Sequence, residues 1–475
     1  MAIGRMLFNS FYWKCLQFLS SFLLNILLAR TMRSAVAGEF YSLIYWFALC
    51  VSFFTLGLDI ALNVFISRKQ LSPRFACRII GVVVLLALLV CVPLVWLYAG
   101  PSRYPDLYGT ELPLYAACQI AGSLLTVLSS TLFTARGRND IPSRVGFFFN
   151  LVLAIVIGAV LLSGRGEWNM RLLFLLYFSF SLLQGLGLFL LAMRNYGREN
   201  TGITGHARLS EMLSFSFKAF VTNFVFFLGA RVCLYLLPYR FAPGDKGNFI
   251  QAYKLVEYLG MAAAFFYYPF VALAAGENRR LSGALAAGEI RAQRSDGENA
   301  DGMRRNVLAM VRLSNSIVLI FSIAIAACGW WLFPFVFGSS FDRMYPVFLC
   351  FIPGLLATCS SSFLTAYFFG VGSIRYNFIS SCIQLIAAVI LFLLLTRLYG
   401  LQGGALAYSA AALLSMGYDT VKFSRHTRLR ARDFLLAGKK DWLRLLHGLG
   451  RFSGLSPDES AERLFYPDVE QKGDQ

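Results

Sequence analysis

Long uncharged runs separated by single charges set the pattern of this chain. Uninterrupted stretches lie at 79–102, 112–135, 145–164, 172–193, 313–341, 344–374, 376–396 and 398–418. Each is long enough to cross a hydrocarbon core of about 30 Å as a helix, the one single-segment structure that satisfies its own backbone hydrogen bonds in lipid. Four more apolar spans, at about 10–30, 40–65, 214–237 and 248–274, are interrupted by charge. The pattern predicts twelve transmembrane helices, and an even number places both ends of the chain on one side.

Composition agrees. Of the 475 residues, 57% are hydrophobic and 14% charged, against about 25% charged in soluble domains. The expected fold class is an all-α polytopic membrane protein. A net charge of +18 raises the question of nucleic acid, and the placement of the charge answers it. With the first segment cytoplasmic, thirty Lys and Arg fall in inner segments and nine in outer loops. That is the positive-inside bias, so the excess is topological and no nucleic-acid partner is expected. The ten cysteines contain no Cys-x-x-Cys pair, which argues against a disulfide framework or a zinc site. No cofactor or metal is expected. The first apolar run carries Lys14 and leads into Arg30 without a small-residue cleavage site, so it does not read as a cleavable signal.

The outer loops are too short for a folded domain. The longest inner loop, 275–312, is rich in small residues and mixed charge and reads as a flexible connector. In the tail at 425–475, Leu435, Trp442, Leu446 and Leu449 share one helical face, with Lys439, Lys440 and Arg444 elsewhere. This suits either an interfacial helix on membrane lipid or a small solvated one. The acidic end reads as disordered.

An internal repeat organises the spans. Ala37-Gly38-Glu39-Phe40-Tyr41 opens the second span, and Lys246-Gly247-Asn248-Phe249-Ile250 opens the eighth, 209 residues later. Ser129-Ser130 with Ala135-Arg136-Gly137 and Ser361-Ser362 with Gly370-Val371-Gly372 repeat at a larger offset. The excess length of the 275–312 connector accounts for the difference. Two six-helix lobes, 1–212 and 213–424, related by an axis along the membrane normal explain both offsets, and such halves enclose a transport site between them. The first and seventh spans open these halves, and both are cut by cations: Lys14 in one, Lys218 and Arg231 in the other.

On these residues a resemblance becomes specific. The stretch GNFIQAYKLVEYLGMAAAFFYYPFVALAA, then FPFVFGSSFDRMYPVFLCFIPGLLATCSSSFLTAYFFGVGS, then LYGLQGGALAYSAAALLSMGY resembles the second lobe of Wzx-type polysaccharide flippases. LLARTMRSAVAGEFYSLIYW with LGLDIALNVFISRK is similar to their first lobe. These proteins belong to the multidrug/oligosaccharidyl-lipid/polysaccharide (MOP, MATE-like) exporter superfamily. The resemblance covers roughly residues 5–425 and rests on the order of loose motifs. It implies movement of an undecaprenyl-diphosphate-linked oligosaccharide between leaflets of the bacterial cytoplasmic (inner) membrane. It also implies a pathway shared with a polysaccharide polymerase or glycosyltransferases.

Polar stripes mark candidate site residues. Lys14, Gln17, Ser21 and Asn25 follow one face of the first span; Ser52, Thr55, Asp59 and Asn63 one face of the second. Asn248, Gln251, Lys254 and Tyr258 form a third, with Glu257 beside it. Charges inside a membrane need a partner or water. Lys14, Lys218, Arg231 and Lys254 would neutralise a diphosphate, with Gln17, Asn25 and Gln251 as polar lining. Asp59 and Glu257 are the candidate ion-coupling acids. Three structural readings stand beside these. Lys254 and Glu257 would pair at i, i+3, Lys14 and Lys218 would reach the headgroups, and Asp59 would cap a helix.

Two other functions fit parts of the pattern. A multidrug exporter would want cavity carboxylates. A membrane glycosyltransferase or polymerase would want an acidic or histidine site in a long outer loop, whereas His206, His426 and His447 all fall in inner segments. No Gly-x4-Gly-Lys-Ser/Thr pattern occurs, so a nucleotide is not the direct driver. The charge bias generates a topological test. A single cysteine at Ser282, in a cysteine-free background, should resist an impermeant thiol reagent applied to intact cells, and strong labelling there would invert the map.

Overall fold

The computed structural model describes residues 2–67, 70–98, 111–162, 170–196, 209–261, 292–370 and 374–427. No strand occurs among them; the chain is a bundle of helices. In order these are α1 (Ala2–Phe54), α2 (Leu58–Ser67), α3 (Pro73–Tyr98), α4 (Leu112–Ala135), α5 (Asp140–Leu162) and α6 (Met170–Tyr196). There follow α7 (Leu209–Leu236), α8 (243–261), α9 (Ala292–Phe337), α10 (Met344–Gly370) and α11 (Ile374–Thr427).

Nine helices among the described residues are long and apolar enough to cross a membrane. Two of these stretches, 46 residues in α1 and 51 in α11, are about twice the length a crossing needs. Each is folded back on itself. The backbone of Arg33 leaves the helical region at φ 53°, ψ 167°, and the Tyr41 hydroxyl then donates to Asn25 Oδ1 at 3.0 Å. Sixteen residues of straight helix would separate those two by about 24 Å. Gly400 makes the second reversal at φ 57°, ψ −133°, which brings Gly403 against the Leu395 carbonyl. With α1 and α11 each holding two spans, eleven of the predicted twelve lie among the described residues; the remaining one, 248–274, begins in α8 and runs on past residue 261, outside them.

The second span departs from the expectation. It is not one helix over 40–65 but breaks at Thr55–Gly57, where Leu56 (φ 48°) and Gly57 (φ 70°) adopt left-handed backbone. Asp59 thereby falls in the first turn of a new helix, α2, where a carboxylate is favoured by the helix dipole. The first and seventh spans, by contrast, run unbroken through Lys14, Lys218 and Arg231. The 275–312 connector is also corrected in part, because residues 292–312 are helical and continue into the ninth span as α9. Its mixed charges recur at i, i+4 (Arg294 and Glu298, Asp301 and Arg305), a spacing that suits a helix as well as a loop. Residues 275–291 and the tail helix expected after 427 lie outside the described residues.

The helices form the two-lobe arrangement. In one lobe α4 packs on α6, α3 and α2, and α5 on α1; in the other α11 packs on α10 and α7, and α10 on α9. The α4–α6 contact is made through glycine. A Cβ on Gly122 would lie 2.4 Å from the Ser181 carbonyl oxygen, and one on Gly185 would lie 2.3 Å from the Gly122 carbonyl oxygen. Small residues let backbones touch in this way. Gly187, two residues further along α6, has only ordinary contact with Phe149 at 3.8 Å.

Gly122→Val should therefore lower the melting temperature of the purified protein sharply, by an overpacking cost of about 1–3 kcal/mol or more. Gly187→Ala should leave it within a degree or two. Circular-dichroism melts in detergent test the contrast.

Candidate functional site

The two lobes meet where the repeat motifs lie. A Cβ on Gly38 would be 2.3 Å from the Pro243 carbonyl oxygen, and one on Gly247 would be 1.8 Å from the Ser34 carbonyl oxygen. Each glycine faces the carbonyl four residues before the other, so the contact is its own image under the 209-residue offset. The second limb of α1 and α8 thus run side by side, backbone against backbone, at the end of the bundle that holds the Arg33 reversal. Further contacts tighten this end. Lys246 and Glu39 form an ion pair across the seam. The Ser34 N–H donates to Ser340 Oγ at 3.0 Å. Arg30 donates to the carbonyls of Phe335 and Val336, which belong to the last turn of α9, where orphan carbonyls and the dipole favour a cation.

Moving away from that contact, side chains bridge the seam. The Lys254 ammonium lies over the Tyr41 ring, 3.4 Å from its centre. Arg231 Nη2 pairs with Glu257 Oε1 at 2.7 Å, and Tyr45 donates to Glu257 Oε2 at 3.2 Å. The Arg231 guanidinium also covers Phe227 at 4.7 Å, and Tyr235 donates to the Tyr45 carbonyl at 3.1 Å. Beyond these groups a cavity of about 220 Å³ opens between α1, α2 and α7. Ser52, Thr55, Asp59 and Arg231 line it with Asn223 and the rings of Phe220, Phe224, Phe226 and Phe227. On the α2 side, Ser216 donates to the Leu56 carbonyl at 2.6 Å and Phe53 meets Phe220 at 5.7 Å.

The sequence candidates divide into groups. Arg231 and Asp59 line the cavity, and Lys254 and Glu257 lie on the seam beside it. The expected Lys254–Glu257 pair does not form; Glu257 takes Arg231 instead, leaving Lys254 on an aromatic face. Gln251 is buried on the same α8 face, and neither its Nε2 nor its Oε1 has a hydrogen-bond partner. Gln17 and Asn25 are held elsewhere. Gln17 packs on Gly146 of α5, and Asn25 accepts from Tyr41 inside the α1 hairpin. Their stripe serves helix packing, as does Ser21, which accepts from Asn150 at 2.7 Å. Lys14 is half-buried in α1 and Lys218 is exposed. Thirteen residues at about 3.6 per turn put Lys218 and Arg231 on opposite faces of α7, so the two do not share the cavity.

Tyr41, Tyr45 and Asn223 were missed. Tyr41 and Tyr45 are i, i+4 neighbours beside Gly38, and Asn223, Phe227 and Arg231 recur every four residues. That spacing was legible, but aromatic residues are too common in a membrane chain to stand out.

No protein-family profile matches the chain, and no curated protein matches it in sequence. Solved structures do match in fold. A MOP-superfamily transporter from Pyrococcus furiosus, described as having a binding pocket of reverse polarity, aligns at TM-score 0.61 with 12% identity over 90% of this chain and 96% of that one. The lipid II flippase MurJ in an inward closed conformation aligns at 0.57 with 15% identity over 97% and 96%. A multidrug-resistance MATE transporter, facing inward, aligns at 0.59 with 13% identity over 87% and 96%. The chain has the MOP-superfamily fold. In this fold the cavity lies between α1, α2 and α7.

The Arg231–Glu257 pair supports a direct test. Both side chains are mostly buried, at 28% and 24% exposure, so removing one leaves the other's charge poorly solvated. In a double-mutant cycle, Arg231→Ala and Glu257→Ala should each destabilise more than their combination implies, with a coupling of about 1–3 kcal/mol. Additive melting shifts would show the pair to be inert.

Proposed function

We propose that the protein is a flippase that carries an undecaprenyl-diphosphate-linked oligosaccharide from the inner to the outer leaflet by alternating access. The observation that carries this reading is Lys254. Its ammonium sits at the lobe seam against a tyrosine face rather than a carboxylate, which leaves its charge for an anionic ligand. Arg231 stands at the cavity wall beside it. The MurJ likeness supports a lipid-linked substrate, and the charge bias supports an inner membrane with cytoplasmic ends.

In that orientation the Arg33 end faces outward. The two lobes, taken as 1–212 and 213–424, are then in backbone contact on the outer side. Opening outward requires the Gly38–Gly247 contact and the Glu39–Lys246 pair to separate. Glu257 already has Arg231 as counter-ion, so of the two acids proposed for ion coupling Asp59 is the one left facing the cavity. A polymerase or glycosyltransferases of the same pathway remain the expected partners.

A second reading has its own support. Four phenylalanines and Asp59 in one cavity suit an amphipathic organic cation, the substrate of a multidrug exporter. Proteoliposomes separate the two. Flipping of a fluorescent lipid diphosphate should fall at least tenfold in Lys254→Ala and vanish in Arg231→Glu, at unchanged protein levels. Wild-type flipping by both variants, together with dye transport that disappears in Asp59→Asn, would replace the flippase with the exporter.

A further inference from the structure

The cavity between α1, α2 and α7 carries charge of both signs, and an anionic cargo engages only the positive one. The two stand at different levels. A Cβ on Gly57 would lie 2.3 Å from the Ser216 carbonyl oxygen and 2.7 Å from the Phe220 amide nitrogen, so α2 starts against that turn of α7. Asp59, two residues on, enters the cavity at this level. Arg231 lies eleven residues beyond Phe220 on α7, a rise of about 16 Å, and both charged side chains reach into the space between.

The two ends differ in how their charge is met. Arg231 is balanced by Glu257 at 2.7 Å, and Lys254 supplies surplus positive charge on that side. Asp59 has no such balance: among the described residues no ion pair involves it. A carboxylate inside a bilayer calls for a cation or water. The walls beside it suit a cation as well. Phe220, Phe224, Phe226 and Phe227 line the cavity, and the Phe227 face already takes the Arg231 guanidinium at 4.7 Å. The negative face of an aromatic ring attracts an ammonium and does nothing for a phosphate.

A purely anionic cargo would bring its charge up against Asp59, and a purely cationic one would meet Arg231 and Lys254. A cargo with both charges meets its opposite at each end. We propose that the cargo is dipolar: beside the diphosphate held at Arg231 and Lys254, the adjoining sugar carries an ammonium group that binds Asp59 and the phenylalanine faces. At about 220 Å³ the cavity is smaller than the roughly 300–1,000 Å³ of a typical ligand pocket, so it takes one sugar unit rather than a chain of them. This inference deepens the flippase reading and rests on it. The ammonium and a coupling ion would occupy Asp59 in turn, so a part in coupling is not lost.

The test measures equilibrium binding of two synthetic short-chain prenyl diphosphates to the purified full-length chain in detergent. One is linked to glucosamine and the other to glucose, so they differ only by an ammonium in place of a hydroxyl, at a mildly acidic pH that keeps the amine charged. The glucosamine compound should bind about tenfold more tightly, a difference of about 1.4 kcal/mol. Asp59→Asn should abolish that preference, and Arg231→Ala should weaken both compounds alike. Melting curves report whether the variants fold; if Asp59→Asn does not, the wild-type comparison decides alone. Equal affinity of the wild-type chain for both compounds overturns the dipolar cargo and leaves the flippase reading in place. A preference that survives in folded Asp59→Asn overturns it as well. If neither diphosphate binds, the flippase reading falls and the dipolar cargo falls with it.

Discussion

Two helices touching without side chains between them set the frame for the rest. Ser34-x-x-x-Gly38 and Pro243-x-x-x-Gly247 bring backbone against backbone at one end of the seam, and any Cβ there would collide. In lipid the hydrophobic effect does not drive helices together, so close packing and hydrogen bonding carry association. The contact repeats itself under the offset that relates the two halves, and it locates the axis between them. The Lys246–Glu39 pair, the Arg30 contacts to α9 and the Ser34–Ser340 bond all cluster around it.

The character of the seam changes with distance from this contact. Backbone contact gives way to tyrosine-length bridges, and these to a cavity walled by phenylalanines. Its charges are arranged by what each can reach. Arg231 is long, planar and bidentate in geometry and takes Glu257, whose second oxygen accepts from Tyr45. Lys254 is left with the quadrupole of Tyr41, a weaker partner than a carboxylate. The break at Thr55–Gly57 has a parallel effect on the facing element. It ends one helix and starts another inside the bundle, and so sets Asp59 at a helix N-terminus on the cavity wall.

The site was partly legible before the structure. Arg231, Lys254, Asp59 and Glu257 were found because charge within an apolar run is costly enough to need a reason. Neutral polar residues carried no such signal, and the i, i+3, i+7 stripe of Gln17, Ser21 and Asn25 turned out to join α1 to α5 and to its own second limb. Lys218 stood out for the same reason as Arg231, yet helical phase puts it on the opposite face.

By itself the sequence determined the class, the twelve spans and the two-fold repeat, because these follow from segment length, hydrophobic thickness and internal periodicity, all properties of one strand of chain. Only the tertiary structure decided which cation pairs with which acid, where the second span breaks, and which polar stripe faces a neighbouring helix rather than the cavity. Those outcomes depend on the rotation of each helix about its axis and on the distance to side chains some two hundred residues away. Neither quantity is written in any local stretch.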